Sequence, residues 1–121
     1  NPGSLSAALE LLQQIDTAPS GRKILVLGDM LELGEQSEQM HAEVGLHANE
    51  MGVDHFIGLG PMMRFALDAA VAAGMGRDRV LHFTDRVELG RFVSSLVEAG
   101  DVVLVKGSRD MQLEELVLRL A

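Results

Sequence analysis

Lys23-Ile-Leu-Val-Leu27, closed by Gly28 and followed by Asp29-Met-Leu-Glu-Leu-Gly34, is the stretch on which the fold turns. A short, unbroken apolar run bounded by a glycine reads as a strand buried on both faces, which is the habit of parallel sheets. Upstream, Leu5, Ala8, Leu9, Leu12 and Ile15 fall at helical spacing over residues 4–15. Ser4 suits the N-cap of that helix, and Pro19-Ser20-Gly21 breaks the chain before the strand. Downstream, a helix is expected from about Ser37 to Met51, with Gly52 at its C-cap. His55–Leu59 reads as a second strand, closed by Gly60. Pro61 fits the first turn of a helix running to about Ala73 and ending at Gly74. Val80–Phe83 is a third strand. Thr84 or Asp85 caps a helix reaching about Ala99, stopped by Gly100. Asp101-Val-Val-Leu-Val-Lys106 is a fourth, strongly buried strand, followed by Gly107-Ser108-Arg109 and a last helix from about Met111 to Leu120.

This alternation of strand and helix predicts an α/β domain: a mostly parallel sheet of about four main strands, with helices on both faces and right-handed crossovers. Ligands of such sheets bind outside the carboxyl ends of the strands. Chemistry is therefore sought after Leu27, Leu59, Phe83 and Lys106.

At 121 residues the chain is expected to be one domain, residues 1–121. Ten basic against eighteen acidic residues leave a net charge of -8, which argues against nucleic acid and against an anionic membrane surface. No apolar run approaches the ~20 residues of a membrane-spanning helix. The absence of cysteine excludes disulfides, thiol nucleophiles and iron–sulfur clusters. Four phenylalanines, with no Tyr or Trp, are too few for a base-stacking platform. Asn1-Pro2-Gly3-Ser4, with no Met and no basic or apolar leader, reads as the beginning of a fragment of a longer chain.

Gly28–Gly34 sits where a phosphate loop would. It lacks the middle glycine of GxGxxG, and Glu35-Gln36 replaces the Lys-Ser/Thr of GxxxxGK[ST]. Asp29, Glu32 and Glu35 would repel a polyphosphate, so no independent nucleotide triphosphate site is expected. Two readings stay open: an ordinary strand-to-helix connector, or a loop that reaches a partner domain or an amine-bearing ligand. Lys106-Gly-Ser-Arg109 also has two. The two cations pair with Asp29 or a neighbouring carboxylate and cap the sheet, or they hold a ligand's carboxylate or phosphate through Lys106, Ser108 and the planar fork of Arg109. His41, His47, His55 and His82 are scattered, with no metal-ligand spacing, and His41 on its helix reads as a surface or capping residue. Glu35, Glu38 and Glu43 read as a solvated face, and the seven methionines as core filler, with one of Met62 and Met63 turned outwards.

Four segments in order carry a resemblance: Asn1-Pro-x-Ser4; Val26-Leu-Gly-Asp-Met-Leu-Glu-Leu-Gly34; His41-x-x-Val-Gly45; and Leu104-Val-Lys-Gly-Ser-Arg109 with an acidic helix after it. Together they cover essentially the whole chain, and the chain resembles the C-terminal domain of the Mur ligases, in particular the type that adds D-alanyl-D-alanine. The resemblance implies a Rossmann-like, three-layer domain of a three-domain cytoplasmic enzyme. ATP and Mg2+ would be held mainly by the central domain, and none is expected in this fragment. The implied partners are the N-terminal and central domains, UDP-N-acetylmuramoyl-tripeptide and D-alanyl-D-alanine. The implied reaction activates the peptide carboxylate as an acyl phosphate, which the dipeptide amine attacks. Asn1 and Pro2 match the tail of the family's hinge segment. Lys106, Ser108 and Arg109, with Asp29 and Glu32 from the acidic loop, are the expected substrate-binding residues. No catalytic or metal-binding residue is expected, and the fragment alone is expected to be inactive.

Two other classes compete. A stand-alone receiver-like regulatory module would also place Asp29 and Lys106 after strands, but it lacks a phosphorylatable Asp after the third strand and is one strand short. A nucleotide-binding regulatory module conflicts with the broken glycine pattern and the acidic first loop.

Overall fold

The computed structural model describes residues 2–107. Asn1, Ser108, Arg109 and the expected helix from Met111 to Leu120 lie outside the described residues. The elements alternate as α1 (Pro2–Gln14), β1 (Lys23–Gly28), α2 (Ser37–Met51), β2 (His55–Leu59), α3 (Met63–Ala72), β3 (Val80–Phe83), α4 (Arg86–Leu96) and β4 (Val102–Lys106), with short 3-10 turns at Gly34–Gln36 and Arg77–Arg79. The four strands form one parallel sheet in the order β3-β2-β1-β4.

β1 is central and its two faces supply two cores. Leu25 and Leu27 join Phe56 under Leu5, Leu9 and Leu12 of α1 and Met63, Ala66, Leu67 and Ala70 of α3, with Ala48 of α2. Ile24 and Val26 join Ile57 and Leu59 under Leu89 and Val93 of α4. This places α1, α2 and α3 on one face and α4 on the other, giving the three-layer architecture expected. Met30, Met63 and Met75 are buried in the first core, so these methionines do fill it, and Met62 is half-buried beside them.

α2 and α3 approach closely at Gly45. A Cβ there would stand 2.8 Å from the carbonyl carbon of Ala66 and closer still to its oxygen. A glycine in mid-helix is costly by propensity, and this contact explains its presence.

Several boundaries differ from expectation. α1 begins at Pro2, so Ser4 lies inside the helix and not at its N-cap. Ile15 lies beyond the helix and is exposed. Pro61 sits in the turn before α3, whose N-cap is Met62. Asp85 caps α4, accepting from the Val87 N–H at 2.8 Å, but the helix ends at Leu96, three residues before Ala99. β4 is half-buried throughout, not strongly buried, because it is an edge of the described sheet.

The early end of α4 has a cause in Asp101. Its carboxylate accepts the Glu98 N–H at 2.9 Å and the Arg22 backbone N–H at 2.9 Å. It also takes the Arg22 guanidinium at 2.8 Å. Arg22 donates onward to the Leu96 carbonyl at 2.7 Å, tying the last turn of α4 to the sheet. This network knots the amino ends of β1 and β4. The guanidinium hydrogen bond is the largest influence holding the Asp101 carboxyl below its ordinary 3.8, at about 2. A depressed carboxylate pKa stabilises the fold above the unfolded value, and that stability is lost as pH falls through the folded value. The stability gap between wild type and Asp101→Asn, measured by urea unfolding, is therefore expected to be constant from pH 7 to about 4 and to close between 3.8 and about 2. A gap that does not change over that range contradicts the assignment.

Candidate functional site

The strand order locates the site before any side chain is considered. From β1 the chain runs outwards through β2 to β3, then crosses by α4 to β4 on the other side of β1. The strand order thus reverses at β1, with β2 on one side and β4 on the other, and a crevice opens between the carboxyl ends of β1 and β4. A cleft of about 180 Å³ lies there, floored by Leu27 and Gly28 and walled by Met30, by Lys106 and Gly107, and by Ser4 and Leu5 of α1.

Register explains why Lys106 belongs to it. Lys106 pairs with Leu27 across β1 and β4. Side chains alternate along a strand, and Val102 and Leu104 pack with the α1 core while Val103 and Val105 pack with the α4 core. Lys106 thus shares the face of Val102 and Leu104, towards α1. Among the described residues no carboxylate forms an ion pair with it. The expected alternative, a pairing of Lys106 with Asp29, is not found.

Asp29 has a different task. It is 2% exposed. Its carboxylate accepts the Met62 N–H at 3.1 Å and the Met63 N–H at 2.8 Å, closing the amino end of α3. Its own N–H donates to the Leu59 carbonyl at 3.1 Å, extending the β1–β2 pairing by one bond. Gly60, at φ 110°, makes the clamp possible, since a Cβ there would lie 2.6 Å from the Asp29 carboxylate. The helix N-terminus that would otherwise attract a phosphate already holds a carboxylate. The same engagement removes Asp29 from the role a receiver module would require, and the order β3-β2-β1-β4 is the Rossmann order, not that of a receiver.

Glu32 is exposed at the crest of the acidic loop, with φ 63°. A non-glycine residue in this left-handed region costs on the order of 1 kcal/mol and is held there by its surroundings. His41, at the other end of the loop, is fully buried instead of lying at the surface. The Met30 N–H donates to His41 Nε2 at 3.0 Å, and His41 Nδ1–H donates to the Ser37 carbonyl at 2.7 Å. The two bonds assign a neutral ring protonated on Nδ1.

Of the expected site residues, the structure brings Lys106 to the cleft, seats Asp29 beneath it at α3, and leaves Glu32 in solvent on the loop that supplies Gly28 and Met30 to the cleft. Pro2 opens α1, two residues before Ser4 reaches the wall. Sequence reading missed Ser4, Leu5, Gly28 and Met30 as wall residues. The signal for Gly28 and Met30 was their place at the carboxyl end of β1 and just beyond it; nothing local in α1 announces that its first turn lines a crevice between strands.

Fold and cleft together define a Rossmann-type α/β domain with a cationic crevice and no phosphate cradle among its described residues. The chain belongs to the Mur ligase family: the family model described as "Mur ligase, glutamate ligase domain" matches residues 1–109. It is 37% identical over 97% of its length to the UDP-N-acetylmuramoyl-tripeptide–D-alanyl-D-alanine ligase of Bacillus subtilis, and 35% identical over 99% to that of Escherichia coli. It spans about 25% of either relative. Among solved structures, a MurF from Acinetobacter baumannii superposes with a TM-score of 0.81 at 31% identity, over 99% of this chain and 26% of that one. The MurF ligase of Thermotoga maritima, determined in complex with ADP, gives 0.76 at 25% identity, over 99% and 25%.

Proposed function

We propose that this chain is the C-terminal domain of an ATP-dependent ligase that joins D-alanyl-D-alanine to UDP-N-acetylmuramoyl-tripeptide in cytoplasmic peptidoglycan precursor synthesis. The observation that carries this reading is likeness along almost the whole chain to relatives of that name, each about four times as long. The remaining length in those relatives corresponds to the N-terminal and central domains that would complete the enzyme.

ATP with Mg2+, held mainly by the central domain, supplies the phosphoryl group that activates the tripeptide carboxylate. The described residues of this chain do not fit that group, because Asp29 fills the α3 terminus and the loop around it is acidic. Their work is positioning. Lys106 offers the dipeptide carboxylate a cation at the mouth of a cleft with an apolar floor, with Ser108 and Arg109 following it in sequence. Glu32 offers the dipeptide ammonium a carboxylate on the opposing loop. Closure of the domain over the central one then excludes water and holds amine and acyl group together. The fragment alone is inactive.

Lys106→Met in the full-length ligase tests this reading. Removing one charge-assisted contact is expected to raise KM for D-alanyl-D-alanine about tenfold or more, with KM for ATP unchanged. Equal KM values for the dipeptide in both enzymes contradict it.

A further inference from the structure

We infer that His41 is a positioning residue for the cleft: its neutral ring sets the backbone of Met30, and through it the wall that the amine substrate meets. This rests on the proposed function for the identity of the substrate, and on geometry alone for the tether. Met30 is the second residue after β1, and its side chain forms part of the cleft wall. Its N–H is given to a side chain and not to a strand carbonyl. His41 Nε2 is its acceptor at 3.0 Å. The ring is fixed in turn by Ser37 at the first turn of α2, through Nδ1 at 2.7 Å. α2 is itself locked against α3 by the close approach at Gly45, four residues further along the same face. A rigid path thus runs from the α2–α3 contact through one imidazole to the cleft wall.

The arrangement has a second anchor one residue earlier, where the Asp29 carboxylate grips the Met62 and Met63 N–H groups. Two successive residues, Asp29 and Met30, are therefore held by the two packed helices, one by α3 and the other by α2. Glu32 follows two residues on with its backbone at φ 63°. Such a conformation persists only when its flanks are constrained. Loss of the His41 bond frees the Met30 flank and lets the loop relax, so cleft wall and Glu32 carboxylate move together.

The ring nitrogens separate this from plain burial. His41→Leu fills the space and removes both bonds. His41→Gln can return an acceptor to the Met30 N–H, its side-chain carbonyl standing near the position of Nε2. In this chain, 15N spectra of the wild-type ring are expected to show Nδ1 protonated and Nε2 bare. Amide exchange at Met30 is expected to quicken about tenfold in His41→Leu, while Leu25, Val26 and Phe56 in the sheet keep their rates, and to return towards wild type in His41→Gln. In the full-length ligase, His41→Leu is expected to raise KM for D-alanyl-D-alanine about five- to tenfold. In that variant kcat stays within about twofold and KM for ATP is unmoved, and His41→Gln restores the dipeptide KM. A ring protonated on Nε2, or core amides that quicken in step with Met30, overturns the proposal. So does a dipeptide KM that ignores His41→Leu while Met30 exchange responds. A full-length wild type that does not use the dipeptide overturns the functional reading instead, and the tautomer and exchange results then stand or fall separately.

Discussion

Asp29→Ala is expected to lower stability by about 3 kcal/mol and Tm by roughly 10 °C. The carboxylate makes two hydrogen bonds to main-chain N–H groups at the start of α3, one of them fully buried. Bonds to an ionised acceptor contribute about 1.5–3 kcal/mol each, and donors left without a partner add their desolvation cost. Asp29→Asn is expected to fall between, since one amide oxygen can serve one N–H while the amide nitrogen faces the other. Chemical unfolding of the three proteins checks this. The contrast is with a substrate ligand, whose removal leaves the unfolding midpoint in place and raises KM for the dipeptide. Thus an Asp29→Ala domain with wild-type stability would falsify the clamp and return Asp29 to the cleft.

Gly45→Ala separates local from tertiary forces, because they predict opposite signs. Alanine is the better helix former by about 1 kcal/mol, so propensity alone expects a gain. The structure expects a loss of about 3 kcal/mol, since the new methyl would meet the main chain of Ala66 and not a side chain that can rotate away. Relief requires α2 and α3 to separate, which also opens the core around Ala48, Leu67 and Ala70. Gly45→Val is expected to cost more and to yield little folded protein. A more stable Gly45→Ala domain contradicts the close crossing of these helices.

The sheet was legible because its strands obey simple rules. His55–Leu59 and Val80–Phe83 are apolar-rich runs bounded by turn residues, and they fall where patterning places them. β1, buried on both faces, reads as an unbroken apolar run for that reason. What failed depended on partners distant in sequence. α4 ends at Leu96 because the Asp101 carboxylate and Arg22, 79 residues away from each other, reshape the turn that follows. β4 has the apolar composition of a central strand, yet it sits at an edge of the described sheet, a property of topology that composition does not encode. Asp29 was visible as a polar residue in the right loop, but whether its carboxylate faces ligand or main chain depends on where α3 begins, 34 residues later. His41 looked like a surface residue since its helix is polar around it. Its burial goes with a partner in the preceding loop, the Met30 N–H eleven residues earlier.

In the proposed function, the amine-substrate side of the ligase cleft belongs to this chain. The most direct test is an NMR titration of the 15N-labelled chain with D-alanyl-D-alanine, with L-alanyl-L-alanine and ATP as controls. Saturable shifts at Gly28–Leu33 and Lys106–Gly107, seen with the D,D-dipeptide alone, are predicted. Shifts produced there by ATP, or dipeptide shifts confined to the opposite, amino end of the strands around Arg22, Asp54 and Asp101, would contradict it.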